Sequence, residues 1–218
     1  MKEYSYLLFD LDGTLTDPAV GITNSVAFAL ARFGIQNKDR KQLYPYIGPP
    51  LVNAFMEFAG LSHEDAQKAL GYYREYFSPK GIFENKPYEG IIETLRTLKK
   101  AGKHLLVATS KPEPYARRIV EHFGMADYFE FVAGASMDEV RVKKEDVIRY
   151  AFESIGVTGD VSALMIGDRR HDIEGAHLNG IDSMGVLYGY GSREELEGAN
   201  ATYLAASPAE IAKLILSK

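Results

Sequence analysis

From Ile91 onward the chain alternates between two hydrophobic periods, and that alternation constrains the fold more than any other feature. Ile91, Leu95 and Leu98 recur at helical spacing, and Leu105-Leu106-Val107-Ala108 is then an unbroken apolar run. Tyr115, Ile119 and Phe123 restore the helical period; Phe129 to Ala133 reads as a short strand, and Ile148, Ala151, Phe152 and Ile155 define another helix. Ala163-Leu164-Met165-Ile166 and Met184-Gly185-Val186-Leu187 are the remaining strong strands, and Ser207-Pro208-Ala209-Glu210 opens a last helix with a capping box. Tyr6-Leu7-Leu8-Phe9 adds a strand of the same kind near the front of the chain. Unbroken apolar runs belong to strands covered on both faces. Strands that alternate with helices need crossover connections, which are right-handed, so an α/β fold with a parallel sheet is predicted.

Between the first strand and residue 84 the pattern is helical. Asp17-Pro18 reads as an N-cap and first helical residue, Ile22, Val26, Leu30 and Phe33 share one face, and Gly34 ends the helix. Beyond the turn-rich Tyr46-Ile47-Gly48-Pro49-Pro50, a second helix is predicted over Leu51 to Phe58. Ser62 then caps a third that runs to about Phe77, and Ser78 to Pro87 reads as a linker. The division is therefore an α/β core from 1–16 and 84–218 with a helical insertion over 17–83. Tyr46 and Phe55 are either core of that insertion or part of a binding cleft.

Ligands of a parallel sheet gather at the carboxyl ends of its strands. Each polar cluster of interest follows an apolar strand: Asp10 and Asp12, Thr109-Ser110-Lys111, and Gly167-Asp168 with Asp172. Asp10 and Asp12 share one face of an extended chain, and two close carboxylates repel. A divalent cation is the simplest compensation. Structural alternatives stand beside these readings: a turn-capping acid pair, a Thr109 that only ends its strand, and an Asp172 that caps the following helix. Lys143 competes with Lys144 as a charge-neutralising lysine, and Lys111, Arg169, Arg170 and His171 are either substrate-facing or ordinary surface charges.

The net charge of −5 and the lack of a basic stripe argue against a nucleic acid polymer as partner. No cysteine is present, which excludes thiolate nucleophiles, disulfides and zinc–sulfur sites. No basic segment precedes a long apolar stretch at the start, and no apolar run reaches membrane length. A cytoplasmic enzyme, monomeric or a small homo-oligomer and without a membrane partner, is expected.

Four motifs resemble those of the haloacid dehalogenase superfamily of phosphatases, in the family's order. They are Asp10-Leu11-Asp12-Gly13-Thr14-Leu15-Thr16-Asp17, the strand-end Thr109, Lys144 within Lys143-Lys144-Glu145-Asp146-Val147-Ile148, and Gly167-Asp168-Arg169-Arg170-His171-Asp172. The resemblance implies a Rossmann-like, doubly wound parallel sheet core with an inserted small α-helical cap domain. It implies Asp10 as nucleophile, forming an aspartyl-phosphate, with Asp12 as acid and then base. Mg2+ would be held by Asp10, the Asp12 carbonyl, Asp168 and Asp172; Lys144 would neutralise charge; and Thr109 and Ser110 would bind the phosphoryl group.

The chain looks most like the phosphoglycolate-phosphatase-like branch, and Ile47 to Pro50, Gly167 to Asp172 and Gly185 to Ser192 resemble its 5′-nucleotidase subgroup. The expected reaction is Mg2+-dependent hydrolysis of a small phosphomonoester, of 5′-nucleotide or phosphoglycolate type. A sugar-phosphate mutase of the β-phosphoglucomutase type and a phosphate-sensing module without turnover are the alternatives.

Overall fold

The computed structural model describes residues 2–36, 39–138, 140–159 and 161–217. The chain forms two compact units, Pro18–Lys86 and Met1–Asp17 with Pro87–Lys218. The first contains α1 (Ala19–Ala31), α2 (Leu51–Ala59) and α3 (His63–Phe77). Ile22, Val26 and Leu30 are buried as their spacing predicts. Ser62 caps α3 by accepting the Asp65 N–H at 3.1 Å. Tyr46 and Phe55 are buried with their rings 5.4 Å apart, so both belong to the core of this unit. One boundary differs from expectation. Helix α1 starts at Ala19 with Pro18 as its N-cap, one residue later than expected, and the Asp17 carboxylate accepts the Tyr190 hydroxyl.

The strands are β1 (Tyr6–Phe9), the two-residue β2 (Thr16–Asp17) and β3 (Lys86–Pro87), then β4 (His104–Pro112), β5 (Phe131–Ala135), β6 (Ala163–Gly167), β7 (Asp182–Val186) and β8 (Tyr203–Ala205). Six of them form one parallel sheet in the order β5-β4-β1-β6-β7-β8. Helices α4 (Ile91–Lys100), α5 (Glu113–His122), α6 (Lys144–Ser154), α7 (Arg170–Leu178), α8 (Arg193–Gly198) and α9 (Pro208–Leu216) complete this Rossmann-like unit. Val147, Ile148 and Ala151 of α6 pack on Leu8, Leu106 and Met165 of the sheet. Each buried aliphatic side chain of this size contributes roughly 1.5–3 kcal/mol.

Strand order reverses at β1, which has β4 on one side and β6 on the other. The crevice of a doubly wound sheet opens at such a point, outside the carboxyl ends of the strands. Phe9 pairs with both Val107 and Ile166, so Asp10, Ala108 and Gly167 lie at one level. That register brings the three strand-end polar clusters together.

Besides the two-residue β2 and β3, β8 and α8 have no counterpart in the sequence reading. Three and six residues are too short to display a period. β8 is supported by its neighbour, with the Leu187 N–H donating to Ala205 O at 2.9 Å. β7 starts earlier than its apolar run because polar Asp182 finds a partner in the Tyr4 hydroxyl at 2.6 Å.

Candidate active site

Asp10 directly follows β1 and is buried. Lys144 opens α6 on the same helical face as Val147 and Ile148, so packing of that face on the sheet carries its side chain inward. Its ammonium lies 2.8 Å from Asp10 Oδ1, 2.8 Å from Asp172 Oδ1 and 2.9 Å from the Ala108 carbonyl. Lys143 is exposed, so Lys144 is the lysine brought to the acids. Burial disfavours its charge, but Asp10 and Asp172 outweigh that cost and raise its pKa, so it remains an ammonium.

Asp168 ends the β6 segment with no exposed surface, and Asp172 sits in the first turn of α7. Asp172 Oδ2 accepts the Arg169 N–H at 3.1 Å while Oδ1 faces Lys144, so this residue both caps its helix and joins the acid group. Asp10, Asp168 and Asp172 each place one carboxylate oxygen within 4.8 Å of the others. Asp168 Oδ2 accepts the Tyr190 N–H at 2.7 Å, whereas its Oδ1 is buried with no hydrogen-bond partner. Burial, reinforced by Asp172 and Asp10, pushes the Asp168 carboxyl well above the usual range. Burial likewise lifts Asp172, to about 6, against the opposing charge of Lys144. Gly13 makes this packing possible: its φ is +87°, and a Cβ there would lie 2.1 Å from Asp168 Oδ2.

Asp12 is paired with Lys111, whose ammonium lies 2.5 Å from Oδ2. Burial raises the Asp12 pKa against the opposing pull of Lys111. Thr109 is buried near the end of β4 and its hydroxyl accepts the Lys111 N–H at 3.2 Å; Ser110 beside it is half-buried. Of the four flanking cations and imidazoles, the structure brings Lys111 onto an acid of the site. Arg169 instead pairs with Glu195 at 2.9 Å, Arg170 is exposed, and the ring of half-buried His171 is 3.9 Å from Glu174. The sequence left Lys111 as either substrate-facing or a surface charge, did not connect it with Asp12, and assigned no role to Tyr190 or Glu195. A Tyr-Gly-Tyr-Gly run directly after a strand was the available signal.

The donor set fits a hard divalent cation. Four acidic side chains (Asp10, Asp12, Asp168, Asp172) face two ammoniums (Lys111, Lys144), and a cation among them would favour the ionised forms that burial disfavours. A buried oxygen without a partner, Asp168 Oδ1, supplies an available ligand.

This arrangement makes the stability of the metal-free protein pH-dependent. The folded-state pKa of Asp172, about 6, exceeds its unfolded value, and Asp168 shifts the same way. The folded state therefore binds more protons, and stability present near pH 4 is lost as pH rises through 6. In EDTA the melting temperature is expected to fall over that window, and Mg2+ is expected to flatten the decline. A melting curve that rises with pH in EDTA contradicts the burial of these acids.

The sequence profile described as haloacid dehalogenase-like hydrolase matches residues 7–186. A protein of Pseudomonas aeruginosa described as a 5′-nucleotidase is 44% identical over 214 residues, 98% of this chain and 96% of that protein. Tyrosine-protein kinase PtkA of Mycobacterium tuberculosis is 40% identical over 196 residues, 90% of this chain and 66% of that protein. A crystal structure described as a predicted phosphatase from Clostridium acetobutylicum superposes with a TM-score of 0.94 at 51% identity, covering 99% of each chain.

Proposed function

The chain belongs to the haloacid dehalogenase-like hydrolase family as a phosphatase, and we propose that it is a Mg2+-dependent phosphomonoesterase of small metabolites, of 5′-nucleotide or phosphoglycolate type. The observation that carries this reading is Asp10, ion-paired with a buried lysine at the sheet's switch point, with carboxylate oxygens of Asp168 and Asp172 within 4.8 Å of its own.

In the proposed first step an Asp10 oxygen attacks phosphorus, the bond to the leaving oxygen breaks, and Asp12 donates its proton to that oxygen. A raised pKa suits Asp12 to hold that proton. In the second step Asp12 takes a proton from water as the water oxygen bonds phosphorus and the Asp10–phosphorus bond breaks. Phosphate leaves, and both acids return to their starting state. Lys144 offsets negative charge on Asp10 and the phosphoryl oxygens, while Thr109 and Ser110 donate to those oxygens. Asp10, the Asp12 carbonyl, Asp168 and Asp172 would hold Mg2+, which when bound supplies positive charge against the phosphoryl group.

These residues address only phosphate, so selection of the organic part is assigned in this proposal to the helical insertion. A cytoplasmic location belongs to the same proposal. Among the described residues no helix is long and apolar enough to cross a membrane.

A panel of nucleoside monophosphates, phosphoglycolate and sugar phosphates, assayed with Mg2+ and with EDTA, tests the reading. Phosphate release that requires Mg2+ is expected. Isomerisation of a sugar phosphate without release points to a mutase, and binding without turnover points to a sensor. Asp12→Asn is expected to lower kcat by roughly 10²- to 10⁴-fold, the usual contribution of a positioned acid–base group. A variant with wild-type kcat removes Asp12 from the mechanism.

A further inference from the structure

The segment from Tyr188 to Glu195 runs from the end of β7 into α8, and the chemistry above uses none of its side chains. It nevertheless grips the Asp168 strand end closely. The Tyr190 N–H donates to Asp168 Oδ2 at 2.7 Å. Glu195 Oε1 accepts from both Arg169 Nε and the Arg170 N–H at 2.9 Å. The same segment reaches the first-motif loop twice: the Tyr188 hydroxyl donates to Thr14 O at 2.9 Å, and the Tyr190 hydroxyl donates to Asp17 Oδ1. The approach leaves no room for a side chain at Gly191, where a Cβ would lie 1.9 Å from the Asp168 carbonyl oxygen.

These bonds decide which oxygen of Asp168 remains available. Oδ2 is occupied by an N–H, while Oδ1 is buried with no hydrogen-bond partner. A carboxylate held at one oxygen cannot rotate freely, so the other is presented in a fixed direction. Partners behind a metal ligand orient it and contribute to affinity in this way.

We propose that Tyr188 to Glu195 forms a clamp that presents Asp168 Oδ1 to a divalent cation, with Tyr190 and Glu195 as positioning residues for metal affinity. The inference rests on the Mg2+-dependent reading above. It places part of the affinity for the metal in a loop whose hydrogen bonds reach the Asp168 segment and the first-motif loop. Both Glu195 and its partner Arg169 are partly exposed, so loss of that pair costs little global stability.

The test uses EDTA-stripped, full-length protein titrated with MgCl2 by calorimetry, with no substrate present. Tyr190→Phe and Glu195→Gln are each expected to weaken Mg2+ binding by about tenfold, within the range for groups behind a metal ligand. The metal-free melting temperature of Glu195→Gln is expected to match the wild type, that of Tyr190→Phe to fall by no more than a few degrees for the lost bond to Asp17, and saturating Mg2+ to restore turnover in both. Wild-type Mg2+ affinity in the folded variants overturns the clamp alone. A wild-type protein that does not bind Mg2+ overturns the metal-dependent reading and the clamp together. Tyr188→Phe, which removes the bond to Thr14 O, serves as a further variant if either of the others fails to fold; unchanged affinity there also counts against the clamp.

Discussion

Replacing Asp10 by Asn is expected to abolish hydrolysis, lowering kcat by more than about 10⁴-fold, or roughly 5 kcal/mol of barrier. The amide keeps the shape of the carboxylate but has no anionic oxygen with which to displace the leaving group. Loss of fold does not explain such an effect. Asn removes one of three acids whose oxygens lie within 4.8 Å, so it relieves the repulsion of Asp10 with Asp168 and Asp172 even as it gives up an ion pair with Lys144. The metal-free melting temperature is therefore expected to hold or rise. Two measurements check the prediction: phosphate release under saturating substrate and Mg2+, and acid-quenched mass analysis for a phosphorylated protein. Wild-type protein should carry the phosphoryl group during turnover and the variant should not. Turnover within tenfold of wild type removes Asp10 from the nucleophile's role.

Lys144→Met has the second large effect, on stability as well as activity. Lys144 is buried and contacts Asp10, Asp172 and the Ala108 carbonyl at 2.8–2.9 Å, so its loss strands two buried acids. Breaking a buried pair from one side costs about 3–5 kcal/mol. In a chain of this size that lowers the melting temperature by roughly 10 °C. The deficit has a defined pH dependence. Without the ammonium, Asp172 prefers its neutral form still more in the folded state, so folding takes up a proton and stability declines as pH rises. The difference from wild type should be small at pH 5 and largest at pH 8. Thermal melts of both proteins in EDTA at the two values decide the matter. An equal shift at both shows that Lys144 acts by packing alone.

Legibility in the sequence followed the range of the interactions. The longer strands were readable because a buried parallel strand writes an unbroken apolar run into the chain, as in Leu105 to Ala108. β8 and α8 were not, since their stability comes from neighbours rather than from any internal pattern. Among candidate site residues, Asp10, Asp12, Thr109 and Asp168 could be singled out because each stands where an apolar run ends. Lys144 was separable from Lys143 only through resemblance, and its burial follows from which face of α6 meets the sheet. Lys111 and Asp12 lie 99 residues apart, and no local pattern connects them. Glu195 looks like an ordinary first-turn acid of a short helix until its two bonds to the Asp168 segment are seen.

The sequence by itself determined the alternation of strand and helix, the helical insertion, and the acids and hydroxyls placed at strand ends. Those features depend on hydrophobic period and neighbouring residues, which any stretch of the chain carries within itself. Tertiary structure alone decided that Asp10, Asp168 and Asp172 meet, that Lys144 pairs with two of them, and that Asp168 is held by one oxygen with the other left available. Strand register and burial set those distances and the proton affinities that follow from them, because charge interactions sharpen only where water is excluded.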